Sequence, residues 1–498
     1  MKKCNFYILT VLLAMCFVGC QNKEYKNIVP KNANVVFAVD LKTLLNDVKI
    51  PESAKSKFES LSSLISQETG LQQLSKLFEG ENTTGIDWLS PFYIFRSPDL
   101  EFGLTLKVSN EDELDALMES LSKQNVVDKT EEKDGLKLTT IMGEVNLAYD
   151  SNSLVLMMPK NTAQTKKTLV KLFEQSEDDS FTATDVFEKL DDKNEPFLFY
   201  ANGTALEDLG LLGLNLPALF SALPEGVRLV DTNLITSASF KNGRTDISYE
   251  LFSPKKKTQK LLEDVDKKFK KIKGDFIYAP NDFFVWAGAG VEGDNILKLL
   301  KNTPDVNQYL TALDRAIDIQ AIIKSLKGDL ALVIPSLPED EPEFVITAKT
   351  KNQDFLKDVN YWNESMKDYG VRMKENSKNN FTLYADGEEL NWGVDGDNVY
   401  FASKNSFFKT AFSEKSNKLS QVEDEIKNSI AYAYINLNPL FAALTNEQNL
   451  YSGYLKQLSI IDRCCVKVEN CRNCTVSIFM DSDENFLTKL LDVIAQSI

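Results

Sequence analysis

The strongest constraint on this chain is that it repeats itself. Four stretches share one pattern: "NVVFAVDLKTLL" from Asn34, "PFLFYANGTALEDL" from Pro196, "DFFVWAGAGVEGDNILKLL" from Asp282 and "SIAYAYINLNPLFAAL" from Ser429. Each is a short apolar strand that breaks into a helix. In three of them an Asx residue ends the strand (Asp40, Asn202, Asn436), and a leucine follows four positions later (Leu44, Leu206, Leu440). An Asx side chain there accepts backbone N–H bonds as an N-cap, and the leucine one turn on faces the core. The strands are apolar on both faces, which predicts positions inside a sheet rather than at its edge.

A second pattern also occurs four times: "LTLKVSNEDELDALMESL" from Leu104, "ISYELFSPKKKTQKLLEDV" from Ile247, "FVITAKTKNQDFLKDV" from Phe344 and "VSIFMDSDENFLTKLLDVI" from Val476. Each is an alternating strand, then Ser, Asn or Asp, then an amphipathic helix. A strand before each completes a hairpin; in one case the turn is Lys241-Asn242-Gly243-Arg244, whose Asn-Gly predicts type I′. Between these patterns "GEVNLAYDSNSLVLMMPKN" from Gly143 aligns with "GEELNWGVDGDNVYFASKN" from Gly387, setting Asp150-Ser151-Asn152 on Asp395-Gly396-Asp397 as a turn. The expected fold is α+β: two tandem halves, 31–273 and 274–498, each with antiparallel sheet covered by helices and each built from two β-α-hairpin-α units.

Composition narrows the chemistry. There is no histidine in 498 residues, which removes the commonest general base, the commonest zinc ligand and every Ser-His or Cys-His arrangement. The net charge of −17 gives no overall field that would seek nucleic acid or anionic lipid. At 43% hydrophobic and 26% charged the chain is ordinary globular material.

Four local motifs need weighing. Gly288-Ala289-Gly290-Val291-Glu292-Gly293 has dinucleotide-fingerprint spacing, but the next strand comes too late for a βαβ unit and the sister positions carry no glycines; a glycine-rich bend is the expected reading. Asp481, Asp483 and Asn485 alternate like the start of a calcium loop, yet Phe486 stands where that loop needs glycine, and helix capping accounts for the same residues. The acidic loop at 338–344, and its sister at 98–102, reads as a solvated turn, since one loop does not place two carboxylates across a sugar. Residues 255–273 carry nine lysines against three acids. This reads as a solvated connecting helix with an apolar stripe of Leu261, Leu262, Val265, Phe269 and Ile272, although such a face could also rest on anionic headgroups or an acidic partner.

"CCVKVENCRNC" holds Cys464, Cys465, Cys471 and Cys474. In an oxidising compartment at least one disulfide is expected, with free thiols or metal as the alternatives. The repeat puts Asn470-Cys471 where Asn242-Gly243 turns, and predicts Cys465 and Cys474 on one face of adjacent strands.

The compartment follows from the N-terminus. Met1-Lys2-Lys3, an apolar run over residues 6–19 and then Gly19-Cys20 have the plan of a secretory signal. The stretch resembles the lipobox of bacterial lipoproteins, with Phe17 replacing the usual aliphatic residue. The resemblance implies cleavage after residue 19, lipidation of Cys20 and a tether over 20–30. Cleavage leaves 54 basic residues against 73 acidic ones, a charge of −19. Gln21, where aspartate signals inner-membrane retention, implies the outer membrane. The scarcity of acids after Cys20 implies its periplasmic face. No other run of about 18 apolar residues exists.

The four-copy pattern, the lipobox and the opening Pro30 to Leu41 together resemble a family of uncharacterised Bacteroidetes lipoproteins, over essentially the whole mature chain. The resemblance implies duplicated α+β modules and transfers no site residues. The expectation is a non-enzymatic, membrane-anchored envelope lipoprotein with a binding or structural role. It needs no cofactor or metal and binds no nucleic acid, and its partner would be an envelope protein or glycan. The alternative is a carboxylate-based hydrolase acting on envelope glycans.

Overall fold

In a computed structural model of the chain, the described residues are 24–56, 84–133, 135–159, 165–208, 226–302, 304–337, 343–385, 387–403, 415–446 and 458–497. They are α+β with antiparallel sheet. The chain divides into two compact units. The first is Met1–Leu45 with Lys55–Phe199, and the second is Asn46–Ala54 with Tyr200–Ile498. The division falls inside a strand, Phe197–Asn202, and the sequence boundary at 273/274 lies within the second unit.

In the first unit the strands are β1 (Val35–Val39), β2 (Phe92–Ser97), β3 (Leu100–Lys107), β4 (Glu131–Lys133), β5 (Leu136–Ile141), β6 (Val145–Tyr149) and β7 (Ser153–Pro159). They pair antiparallel in the order β4-β5-β6-β7-β3-β2-β1. The helix Glu111–Lys123 begins where Asn110 accepts the N–H groups of Asp112 (3.1 Å) and Glu113 (3.3 Å), with three acids in its first turn. Both features favour a helix N-terminus. Leu114 and Met118, one turn apart, carry its buried stripe into a core with Leu106, Leu147, Tyr149 and Leu154.

The strand across the division is β8 (Phe197–Asn202). The second unit continues with β9 (Asn233–Lys241), β10 (Arg244–Phe252), β11 (Val285–Glu292), β12 (Leu326–Ile334), β13 (Val345–Thr350), β14 (Arg372–Ser377), β15 (Asn380–Ala385), β16 (Glu388–Asp395), β17 (Asn398–Ala402), β18 (Ala431–Asn436), β19 (Ile461–Asn470) and β20 (Asn473–Met480). From β9 onward they pair antiparallel in the order β9-β10-β20-β19-β18-β11-β12-β13-β17-β16-β15-β14. β11 and β18, both apolar on two faces, are interior as their composition predicts. One core gathers Phe276, Phe283 and Trp286 with Leu419, Ile426 and Tyr432 over β11, β12 and β18. A second lies where the helix Val359–Lys367 packs on β15–β17 through Trp362, Met366, Phe381 and Trp392.

The Asx residues of the first pattern bond backbone N–H groups at their helix starts. Asp40 accepts the N–H of Thr43 (3.0 Å), Asn202 that of Ala205 (2.9 Å) and Asn436 that of Asn438 (3.4 Å). In the second pattern Asn485 caps its helix, accepting from Leu487 and Thr488, whereas Ser253 and Asn352 accept from Lys255 and Asp354 but stand ahead of the N-caps Lys255 and Gln353, which make no side-chain cap bond. The Asn242-Gly243 turn differs from expectation. Lys241 and Arg244 close a two-residue loop, but only Gly243 has positive φ, at 68°, so the turn is not type I′. Its backbone is committed elsewhere: Gly243 N–H donates to Glu484 O, and Gly243 O accepts from Met480 N–H.

Candidate functional site

The lipidation candidate Cys20, the signal over 1–19 and the acidic residues 338–342 lie outside the described residues. Among the described residues no group of three or more His, Cys, Asp or Glu is placed to hold a metal, and no helix is long and apolar enough to cross a membrane.

The glycines at 288–293 are structural. β11 runs straight through Gly288 and Gly290, and the helix Gly293–Asn302 starts at the third. A Cβ on Gly290 would strike the carbonyl of Lys270, and one on Gly293 the carbonyl of Ile323. Bare backbone is required there because another chain segment passes against it. The expected bend is therefore a continuous strand. Asp481 and Asp483 are exposed, and Asn485 caps the helix Phe486–Ser497. The lysine-rich segment is a helix over Lys256–Asp266 that buries Leu262 and Val265, while Lys256 and Lys257 stay exposed.

Cys464, Cys465, Cys471 and Cys474 are all free thiols. The register sets Cys465 opposite Ser477 and Cys474 opposite Val468. Three ladder steps separate them, so they lie on opposite faces and not on the shared face the repeat predicts. Cys471 sits in the two-residue loop closed by Asn470 and Asn473, and its N–H donates to Asp266 (2.9 Å). Burial pushes the Cys465 thiol up to about 12, which makes it inert.

Two buried carboxylates attract notice, and both are engaged by their own surroundings. Asp246 takes Lys241 Nζ (2.8 Å), Arg244 (3.0 Å) and Ser477 Oγ (2.6 Å). Burial raises its pKa, and these donors more than reverse that, holding it below the usual carboxylate range. Asp329, 1% exposed, accepts the backbone N–H groups of Lys273, Gly274 and Asp275 at 2.6–3.1 Å. It pins the segment entering β11.

The concave feature of the second unit is apolar. A cavity of about 380 Å³ opens between the sheet and its helices. Ile319 and Ile322 of the helix Ile319–Ser325, with Trp362 and Met366 of Val359–Lys367, form one wall. Leu326 and Leu330 of β12, Ile346 and Ala348 of β13, Leu383 of β15 and Trp392 of β16 form the other. The aromatic part is rigidly braced, with Trp392 stacked on Phe381 at 4.6 Å and tilted against Trp362 at 5.9 Å. Thr347 and Tyr400 bring the wall's hydroxyls, and both are engaged: Thr347 Oγ1 donates to Val399 O (3.1 Å) and Tyr400 OH to Asn380 Oδ1 (2.6 Å). Volume and lining match a small-molecule site. None of these residues carried a sequence signal, since apolar residues at helix and strand period read as core. The single cue was two of the chain's four tryptophans within one α-β stretch.

No curated protein matches the chain. Crystal form IV of TP0453 is similar over 45% of this chain and 79% of its own, at 12% identity and a TM-score of 0.25. Crystal form I of TP0453 is similar over 80% and 97%, at 11% identity and a TM-score of 0.21. These superpositions are too loose to inform fold or site. Residues 25–457 match the domain of unknown function DUF4836, and the chain belongs to that family.

Proposed function

We propose that this protein is a non-catalytic envelope lipoprotein, held at the periplasmic face of the outer membrane by a lipidated Cys20, and that it works by binding. The observation that carries the binding role is the apolar cavity between β12–β17 and the helices Ile319–Ser325 and Val359–Lys367. A hydrolase would need two carboxylates facing each other across a cleft, whereas the buried acids Asp246 and Asp329 are saturated by their own donors. The anchor rests on the lysines, apolar run and Gly19-Cys20 of the N-terminus.

The binding module is one of two tandem homologous halves, 31–273 and 274–498. Supporting this, β11–β17 are ordered β14-β15-β16-β17-β13-β12-β11, and β1–β7 follow the same sequence of neighbours. Two experiments test the reading. Radiolabelled palmitate enters the wild type and not Cys20→Ala; equal labelling overturns the anchor. The environment-sensitive probe 1-aminoanthracene binds the purified protein and is excluded by Ala348→Leu; no binding overturns the cavity as the working site.

A further inference from the structure

Resting on the reading of a lipid-anchored chain, we infer that the lysine-rich segment 255–273 is a second membrane contact, a surface that lies on the phosphates of anionic lipid headgroups by charge alone, without inserting.

The segment gathers charge at one end of the second unit's sheet. Lys270 bridges to Gly290 of β11, and Ile272 N–H donates to Ser429 O just before β18 (2.9 Å). The helix Lys256–Asp266 ends against the β19–β20 loop, where Asp266 accepts Cys471 N–H (2.9 Å) and Arg472 Nε (2.8 Å). These places share one end of the ladder, since Ala289, Ala431 and Val468 stand opposite one another in β11, β18 and β19. Lys256, Lys257, Lys260, Lys268, Lys270 and Lys271 are exposed there and form no ion pair among the described residues. Lys255 and Lys267 are held by Asp231 (2.6 Å) and Asp264 (2.7 Å). Nine lysines less three acids leave +6 on this segment, in a chain of −17. Physiological salt screens charge beyond about 8 Å. A surface touching this end therefore responds to the +6 and not to acids farther off.

The kind of charge selects the partner. A specific protein interface is depleted in lysine and built on Tyr, Trp, Met and Arg anchors. Here Arg472 is tied to Asp266, and Phe269, the segment's one aromatic residue, is half-buried. Compact, strongly hydrated ammonium groups on flexible stems match a field of headgroup phosphates, which demands no fixed geometry. Each lysine near such a surface adds about fivefold to affinity. The helix does not insert, because its apolar stripe is already used: Leu262 and Val265 are 2% and 4% exposed, packed into the protein. An interfacial helix would need that face for the acyl boundary.

The test uses the full mature chain carrying Cys20→Ala, sedimented with vesicles of phosphatidylcholine with and without phosphatidylglycerol. Binding is expected only with phosphatidylglycerol, and is expected to be lost at about 1 M salt, where the screening length falls to ~3 Å. The triple variant Lys256→Gln, Lys257→Gln and Lys260→Gln is expected to weaken it about a hundredfold, from about fivefold per lysine, with far-UV circular dichroism retained. Arg372→Gln, Lys374→Gln and Lys378→Gln remove the same charge from exposed positions of β14 and the turn after it, and are expected to leave binding nearly unchanged. Equal binding to both vesicles, a lysine triple that binds as the parent does, or an equal loss in the β14 triple overturns the surface. Binding that survives 1 M salt overturns contact by charge alone. Binding of poly-glutamate without binding of vesicles makes an acidic protein the partner and overturns the membrane assignment. Palmitate labelling separates this inference from the anchor: a chain labelled at Cys20 that ignores anionic vesicles keeps its anchor and loses this surface, and the reverse result keeps the surface and loses the anchor.

Discussion

Ile247 of β10 stands directly opposite Val476 of β20 in an antiparallel ladder. These residues open the second and fourth copies of the strand-helix pattern in the sequence, and under the proposed reading of two homologous halves equivalent positions meet face to face. A self-complementary contact about a two-fold axis has this form, with like residues crossing at its centre. Opposed residues in such a ladder have Cα atoms about 4.5–5.5 Å apart, within disulfide range. The double variant Ile247→Cys with Val476→Cys is therefore expected to crosslink in oxidising buffer, giving one bridged peptide on proteolysis. Its absence would refute the register.

Beside that pair, Asp246 carries a pH signature. Its carboxyl is held below the ordinary value of about 4 in the folded chain. A depressed folded pKa adds stability that is present above the unfolded pKa and is lost as pH falls through the folded one. Asp246→Asn is expected to cost about 2 kcal/mol at pH 7, as for a hydrogen-bonded charge. In urea unfolding the gap should close as pH drops below about 4. A pH-independent gap would contradict this role.

Removing the Asp329 side chain strands three backbone donors, at Lys273, Gly274 and Asp275. Asp329→Ala is expected to cost at least about 3 kcal/mol in urea unfolding, from unpaired buried N–H groups. Asp329→Asn, which keeps an acceptor, is expected to cost less. Equal and small effects would place the residue outside the core's support.

The thiols should separate by access. Cys465 is 2% exposed with its thiol pushed up to about 12, so Ellman's reagent at pH 8 should reach it only after denaturation. Cys471 is exposed in the hairpin loop, and although burial of its sulfur and the neighbouring Asp266 also push its thiol up to about 12, it should modify ahead of Cys465 by access alone. Prompt labelling of Cys465 in the native protein would show the final hairpin to be open.

Local signals were legible and convergent ones were not. Asn110, Asn202 and Asn485 announce helix starts because an Asx side chain acts within three residues of its own backbone. The apolar strands β11 and β18 are read as interior because apolar residues on both faces leave no polar alternation in the sequence. The face of Cys465 was misjudged because a ladder's parity depends on where its loop closes, and the closure at Asn470 and Asn473 sets three steps between the thiols. The Asn242-Gly243 turn departs from type I′ because its backbone bonds to Met480 at the end of β20 and to Glu484 just beyond it, contacts no local pattern encodes. The cavity escaped because its walls come from residues 317 to 401, each of which reads alone as core.

The β10–β20 ladder also sets a schedule for making the protein. Ser477 and Asp246, hydrogen-bonded across it, are 231 residues apart in sequence. β10 therefore waits with one side unpaired until nearly the whole chain has been delivered. Such distant pairing slows folding, and an open strand invites pairing with other chains meanwhile. Lys241 and Arg244 flank the start of β10 and bring charge to it, and Asp246 is a charge placed within it. The same groups that neutralise one another in the finished sheet are thus guards against aggregation during its assembly.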